Sequence, residues 1–258
     1  MSVDIITVEK KAVDIQQYLD CILHGDCLNV MRQLPDKSVD VVITSPPYNL
    51  LNSTGNGLKK GTKTGKWKNA AIKEGYEEYD DNMPYDQYVL WQRACVSEMC
   101  RLIKDDGVVF YNNKNRVQGG LIQDRGQILQ GLPLRQIITW KRKGAVNFNP
   151  GYFLPTTEQI YMLCGKNFKL VKGANKLTDV WEIQQEMNNP HPAPFPEALI
   201  DLIISSTDGN IVLDPFAGSG TTAVSAKKAG RHFIMIEKSL RYCEMAKTRI
   251  EGGDWRNV

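Results

Sequence analysis

Between Asn210 and Glu237 the chain carries a pattern that few folds accommodate. The apolar run Ile211-Val212-Leu213 breaks abruptly into Asp214-Pro215-Phe216-Ala217-Gly218-Ser219-Gly220-Thr221-Thr222. A β-branched run ending in a Gly-rich turn and then a helix is the opening of a doubly wound α/β unit. Gly218 and Gly220 let the backbone turn tightly and approach a ligand. Thr221 to Lys228 has Ala and Lys at helical spacing, which predicts a helix whose N-terminus sits under that ligand. Arg231 to Glu237 then reads as the next strand, with an acid at its carboxyl end. An acid about 20 residues past the turn suits a ribose diol, because a carboxylate accepts from two hydroxyls. The spacing is neither G-x-G-x-x-G nor a P-loop, since no Gly-Lys-Ser/Thr follows. A Gly-rich turn alone is often only a turn; the strand–loop–helix–strand–acid order favours a nucleoside cofactor.

A second strand-to-turn junction lies much earlier. Val39-Asp40-Val41-Val42-Ile43-Thr44 runs into Ser45-Pro46-Pro47-Tyr48-Asn49. The prolines fix two φ angles, and the residues before them are pushed away from helix. Open α/β sheets place ligands at such carboxyl-end turns. Ser45 offers a hydroxyl oxygen, Pro46 a carbonyl and Tyr48 an aromatic face. That set fits a flat heterocycle with an exocyclic amino group, held by the two acceptors and stacked on Tyr48. Taken alone, Ser-Pro-Pro-Tyr is also any stiff turn.

Between these landmarks strand and helix signals alternate. Strands are predicted near 20–24, 39–44, 108–111, 134–140, 158–163, 210–213 and 231–237. Helices are predicted over 27–34, 84–104, 119–130, 196–205, 221–228 and 239–251, the second with Asp80 or Asp81 near its start. The fold class is α/β, a doubly wound and mostly parallel sheet with helices on both faces. Residues 51–75 are rich in Gly, Lys and Asn without apolar periodicity, which predicts a mobile loop. Residues 165–190 read as polar and irregular. Residues 1–258 form one domain on this reading, with a catalytic half over about 18–163 and a cofactor half over about 191–251.

The chain resembles the permuted β-type DNA amino-methyltransferases that use S-adenosylmethionine. In that order Ser/Asp/Asn-Pro-Pro-Tyr/Phe precedes Phe-x-Gly-x-Gly, as it does here. Leu23-His24-Gly25-Asp26-Cys27-Leu28 is similar to the family segment whose acid faces the cofactor adenine. Ile138-Thr139-Trp140-Lys141 through Tyr152-Phe153 and Glu158 resembles the family's middle strands, and His191-Pro192-Ala193-Pro194-Phe195-Pro196-Glu197 the lead into its late helix. The resemblance implies a seven-stranded, circularly permuted, Rossmann-like sheet. It implies that Phe216 to Thr222 hold the methionine end of the cofactor and Glu237 its ribose. Asp26, Cys27, Ile236 and Phe195 would surround the adenine. Duplex DNA would dock and its target nucleotide flip out, because the amino nitrogen is unreachable in the stack. No cysteine nucleophile and no metal is required.

The Ser form of the motif, with His-Pro-Ala-x-Phe-Pro, leans toward cytosine N4; adenine N6 is the runner-up. An RNA or protein-amide methyltransferase would usually carry the motifs in the other order with Asn-Pro-Pro-Tyr. A non-catalytic DNA-binding module would not need Asp214, Gly218, Gly220 and Glu237 intact.

A net charge of +3 leaves nucleic-acid contact to local clusters. Lys59, Lys60, Lys63, Lys66 and Lys68 surround Trp67, and Lys141-Arg142-Lys143 follows a strand end. Both are candidates for phosphate contact, against the alternative of a solvated charged loop. The family reads its target with a variable region that is short here, at about 165–190. Specificity could then also come from the 51–75 loop, a second subunit or a specificity partner. A homodimer and a cognate restriction endonuclease stay open as partners. No membrane-length apolar run and no signal core occur, and six cysteines lie without a C-x-x-C pair, so the expectation is a reduced cytoplasmic protein. Three histidines are too scattered for a metal site.

Overall fold

The computed structural model describes residues 2–8, 14–49, 82–144, 149–186 and 195–255. In chain order the strands are β1 (Asp4–Thr7), β2 (Cys21–His24), β3 (Val39–Thr44), β4 (Ile103–Asn113), β5 (Arg116–Gln118), β6 (Leu121–Gln123), β7 (Leu134–Lys141), β8 (Thr157–Cys164), β9 (Val180–Glu182), β10 (Ile211–Asp214) and β11 (His232–Glu237). The α-helices are α1 (Cys27–Met31), α2 (Tyr85–Leu102), α3 (Glu197–Ser206), α4 (Thr221–Lys228) and α5 (Leu240–Glu251).

Nine strands form one sheet in the order β1-β2-β11-β10-β3-β4-β8-β7-β9. The seven expected strands are its contiguous middle. Two short edge strands, β1 on β2 and β9 on β7, extend it beyond expectation. All pairings are parallel except those of β8, which runs antiparallel to both β4 and β7. β10, the strand of the Gly-rich turn, lies between β11 and β3. A strand late in the chain thus fills the centre of a sheet whose neighbour β3 comes early, which is the permuted order.

The central strands carry apolar residues toward both faces because both faces are covered. In β3, Val39 and Val42 pack on one side while Val41 and Ile43 pack on the other. α1 and α2 cover the first face with Val30, Met31, Cys95, Val96 and Met99. α3, α4 and α5 cover the second with Leu199, Ile203, Ala223, Ala226, Cys243 and Ala246. Each fully buried branched side chain contributes about 1.5–3 kcal/mol.

Four sequence expectations change. The helix over 119–130 is a hairpin, β5–β6, followed by one helical turn at Arg125–Leu129. Gly119 and Gly120 both have positive φ, 59° and 80°, the two-residue turn that joins antiparallel strands. The helix after Asp26 stops at Met31, and α2 stops at Leu102 because Ile103 is already extended. The irregular 165–190 region contains β9 and a helical turn at Ala174–Lys176. The 51–75 loop, with Lys59, Lys60, Lys63, Lys66, Trp67 and Lys68, lies outside the described residues, as do Asp80, Asp81 and 191–194. Among the described residues no helix is long and apolar enough to cross a membrane.

Candidate active site

Parallel strands bring their carboxyl ends to one edge, and antiparallel β8 brings its amino end there. Ser45 after β3, Asn112 in β4, Glu158 in β8, Asp214 in β10 and Glu237 in β11 therefore share that edge.

The turn after β3 is held carbonyl by carbonyl. The Tyr88 hydroxyl donates to the Pro47 carbonyl (3.0 Å) and Arg125 Nη2 to the Tyr48 carbonyl (3.2 Å). Arg116 Nη1 donates to the Asn49 carbonyl. The Asn49 side chain bonds both backbone groups of Met83, at 2.6 and 2.8 Å, and Asn49 itself is left-handed with φ 58°. The Pro46 carbonyl has no hydrogen-bond donor among the described residues. The first part of a rigid turn thereby keeps the Pro46 carbonyl open near the Ser45 hydroxyl, the Ser45 carbonyl likewise having no donor among the described residues.

Behind the turn lies a buried polar network. Ser45 Oγ is 2.7 Å from the Tyr48 hydroxyl. That hydroxyl donates to Glu158 Oε2 (3.0 Å) and accepts from Asn112 Nδ2 (2.7 Å). Asn112 Nδ2 also donates to Glu158 Oε2, at 2.9 Å. Arg142 Nη1 lies 3.4 Å from Glu158 Oε1, both side chains being almost fully buried. Tyr48, read from sequence as an available aromatic face, is only 7% exposed, with its hydroxyl pinned.

The Gly-rich turn is joined to this site through Asp214. Its Oδ1 accepts from the Thr44 hydroxyl (2.7 Å) and the Phe216 amide (3.0 Å), and its Oδ2 from the Thr222 hydroxyl (2.7 Å). Thr44 directly precedes Ser45, so one carboxylate ties both motifs together. Burial pushes that carboxyl up to about 6, against the hydrogen bonds that lower it. Gly220 has φ 76°, and a Cβ there would stand 2.9 Å from Ala246 Cβ, so α5 packs directly on the turn. Arg249 of α5 donates to the Ser219 carbonyl, the Ser219 hydroxyl and the Thr221 hydroxyl.

A model of the DNA methylase family matches residues 39–248. The chain belongs to the DNA methylase family. It is 27% identical to the type II methyltransferase M.HinfI of Haemophilus influenzae, over 92% of this chain and 70% of that one. It is 28% identical to the type II methyltransferase M.BglII of Bacillus subtilis, with the same coverage of both chains. Among solved structures, the PvuII cytosine-N4-specific DNA methyltransferase superposes with a TM-score of 0.68 at 18% identity, over 92% of this chain and 86% of that one. A DNA modification methylase of Thermus thermophilus in complex with S-adenosyl-L-methionine gives 0.62 at 22% identity, over 89% and 92%. These structural likenesses support the fold.

The methylase uses S-adenosylmethionine, and the chemistry of the β10–α4 turn would suit such a group. Thr221, Thr222 and Ala223, the first turn of α4, have no acceptor for their amides among the described residues. They leave the donor end of a helix open, an arrangement that suits a carboxylate. Glu237 accepts from the amides of Gly218 (2.8 Å), Lys238 (2.9 Å) and Ser239 (2.9 Å). Three of about four acceptor positions are taken, so one is left for a ribose hydroxyl, on Oε2, rather than the pair expected. Burial raises this carboxyl while those amides lower it. The side chains of Asp214, Ser219, Thr221 and Thr222 are engaged internally, so the turn offers backbone rather than side-chain groups. Asp26 caps α1 through the Asn29 amide (3.1 Å). Cys27 is turned away from the sheet edge into the core, its sulfur 3.8 Å from that of Cys95. Phe195 packs on the core face of α3–α5, and Phe216 meets Trp91 edge-on at 5.8 Å.

The basic triplet after β7 does not act as one. Lys141 and Lys143 are exposed, and Lys141 pairs with Glu182 at 2.7 Å. Arg142 is buried on Glu158, which corrects its reading as a phosphate contact. Sequence reasoning missed Asn112, Arg125, Arg142 in its buried role and Arg249. Glu158 was noted only within a strand. A buried charge set in an apolar strand, as in Thr157-Glu158-Gln159-Ile160, was the available signal.

Proposed function

We propose that this methylase transfers a methyl group from S-adenosylmethionine to the exocyclic N4 of a cytosine flipped out of duplex DNA. The observation that carries the reading is the acceptor pair, the Ser45 hydroxyl and the Pro46 carbonyl, at the start of a turn whose next three carbonyls, Pro47, Tyr48 and Asn49, are capped. An amino group has two protons; one acceptor for each turns the nitrogen lone pair out of the base plane. Caps from Tyr88, Arg116 and Arg125 hold both acceptors still, so little reorganisation is left for the reaction. S-adenosylmethionine supplies a methyl group on a sulfonium centre, which leaves as neutral sulfur. The first-turn amides of α4 would hold its carboxylate and Glu237 its ribose, with Asp26, Phe195 and Phe216 nearby. Asp214 keeps that seat in register with Ser45 through Thr44 and Thr222. Tyr48, its ring plane set by the hydroxyl, would meet the base only through the small part of the ring that it exposes. The Ser form of the Pro-Pro-Tyr motif supports cytosine over adenine.

DNA contact is assigned to Lys143, to Lys141 and to the 59–68 cluster. The type II names of the two curated relatives support a cognate restriction endonuclease as partner, and hence a cytoplasmic setting. The test is expression in a methylation-free bacterial host followed by modification-sensitive sequencing of its DNA. N4-methylcytosine in one recurring motif is the expected result. N6-methyladenine there would move the target base to the runner-up, and unmodified DNA from a folded, cofactor-binding protein would overturn the substrate.

A further inference from the structure

We propose that Glu158 is the terminal proton acceptor of the reaction, reached from Ser45 through the hydroxyl of Tyr48. The inference rests on the amino-methylation reading above and assigns the exit of its proton.

The hydrogens around Tyr48 can be counted. Glu158 is ion-paired with Arg142 and so is an acceptor only. The Tyr48 hydroxyl has one hydrogen, and Glu158 Oε2 takes it at 3.0 Å. Asn112 Nδ2 donates into the same hydroxyl, so this side of Tyr48 also presents a lone pair. The reverse amide orientation would set Asn112 Oδ1 against the Glu158 carboxylate, which is repulsive. Ser45, 2.7 Å from Tyr48, therefore has to donate its own hydrogen to the tyrosine oxygen. The carboxylate thus orients two hydroxyls in series; one Ser45 lone pair takes a long contact from Asn112 Nδ2 (3.4 Å) and the other is left for the substrate amine. A serine without this chain could equally point its hydrogen at the amine and repel it.

The same chain can run as a relay. When the amino nitrogen takes the methyl group, its lone pair becomes the new N–C bond and the C–S electron pair stays with sulfur. The nitrogen then holds one proton too many. That proton passes to Ser45 Oγ as the Ser45 proton passes to Tyr48 and the Tyr48 proton to Glu158 Oε2. One carboxylate becomes one carboxylic acid, both hydroxyls are restored, and the acid later loses its proton to solvent. Arg142 is held by the Pro155 carbonyl as well as by Glu158, so it stays in place while the charge beside it changes. Every link is a direct contact of 3.0 Å or less.

The test uses the full chain with Glu158→Gln and Tyr48→Phe, each preserving shape. Cofactor affinity by calorimetry and oligonucleotide affinity by fluorescence are measured first and are expected to match the parent. Single-turnover methyl transfer is then followed by rapid quench across H2O/D2O mixtures. The parent is expected to show a curved proton inventory, the sign of several protons moving together. Both variants are expected to be slower by about 10²-fold, with a linear inventory. A parent inventory that is linear, a Glu158→Gln rate equal to the parent, or a loss confined to DNA affinity would each overturn the relay. Should Glu158→Gln fail to fold with Arg142 left unpaired, Glu158→Gln with Arg142→Met removes the charge and gives the same readings. Absence of DNA methylation by the parent itself would fault the substrate reading instead.

Discussion

Asp214 shows how a single residue is paid for by its neighbours. Its carboxyl rises from 3.8 to about 6 because burial outweighs three hydrogen bonds. A raised folded value means that the native state holds this proton more tightly than the unfolded chain. Stability from this group is therefore present at low pH and is lost as pH rises from about 4 through 6, by about 3 kcal/mol. Asp214→Asn removes that cost while keeping an acceptor for Thr44. Its melting temperature should exceed the parent's by a few degrees at pH 8, and the gap should shrink at pH 5; a pH-independent gap contradicts the assignment. Gly220→Ala acts the other way. A Cβ 2.9 Å from Ala246 Cβ, on backbone with φ 76°, should cost about 1–3 kcal/mol. Calorimetry should show both a lower melting temperature and weaker S-adenosylmethionine binding. The Gly-rich turn was legible from sequence, whereas the inward commitment of Ser219, Thr221 and Thr222 was not. Their partners are Arg249 and Asp214, and local spacing does not announce a donor on α5.

At the scale of elements, the short turn Arg125–Leu129 does more than join β6 to β7. Arg125 is fully buried, lies over the rings of Tyr88 (4.5 Å) and Tyr85 (5.3 Å), and donates to the carbonyls of Lys114 and Tyr48. Its Nε and Nη2 go to those carbonyls and its Nη1 has no hydrogen-bond partner among the described residues, so no carboxylate there pairs with it. Arg125→Met loses two carbonyl bonds, worth about 1 kcal/mol each, but also removes a desolvated charge. These effects oppose, so stability should move little. The catalytic turn, however, loses one of its caps, and a turnover loss of ten- to a hundredfold is expected. Equal falls in melting temperature and kcat would show a purely structural role. This element was misread as helix because Leu121, Ile122, Ile128 and Leu129 fit a helical period. The Gly119-Gly120 pair was the overriding signal. β1 and β9 were missed for another reason: strands this short form only because a neighbouring edge offers hydrogen bonds.

The whole molecule has a net charge of only +3, so DNA affinity depends on where cations lie rather than on an overall field. Lys143 is exposed, and Lys141 is exposed but already paired with Glu182. Lys143→Ala should reduce the slope of log affinity against log salt by about one. Lys141→Ala should change it less, because part of its charge is already met. An unchanged slope for Lys143→Ala would remove that residue from the interface. The permuted order was visible in the chain, since the two strand-to-turn junctions appear with the Gly-rich unit second. Their meeting through Thr44, Asp214 and Thr222 spans 170 residues and belongs to the sheet alone.

By itself, the sequence determined the seven central strands and the two turns at their carboxyl ends, and it placed Ser45 and Pro46 in the first of those turns. These are local matters, decided by apolar periodicity and by the dihedral limits of Pro and Gly. Only the tertiary structure decided which groups share a hydrogen bond and which cation faces inward. Glu158 reaches Tyr48 across 110 residues and Asn112 reaches it across 64. The direction of a hydrogen bond is set by the partner on the far side, and no local pattern contains that partner.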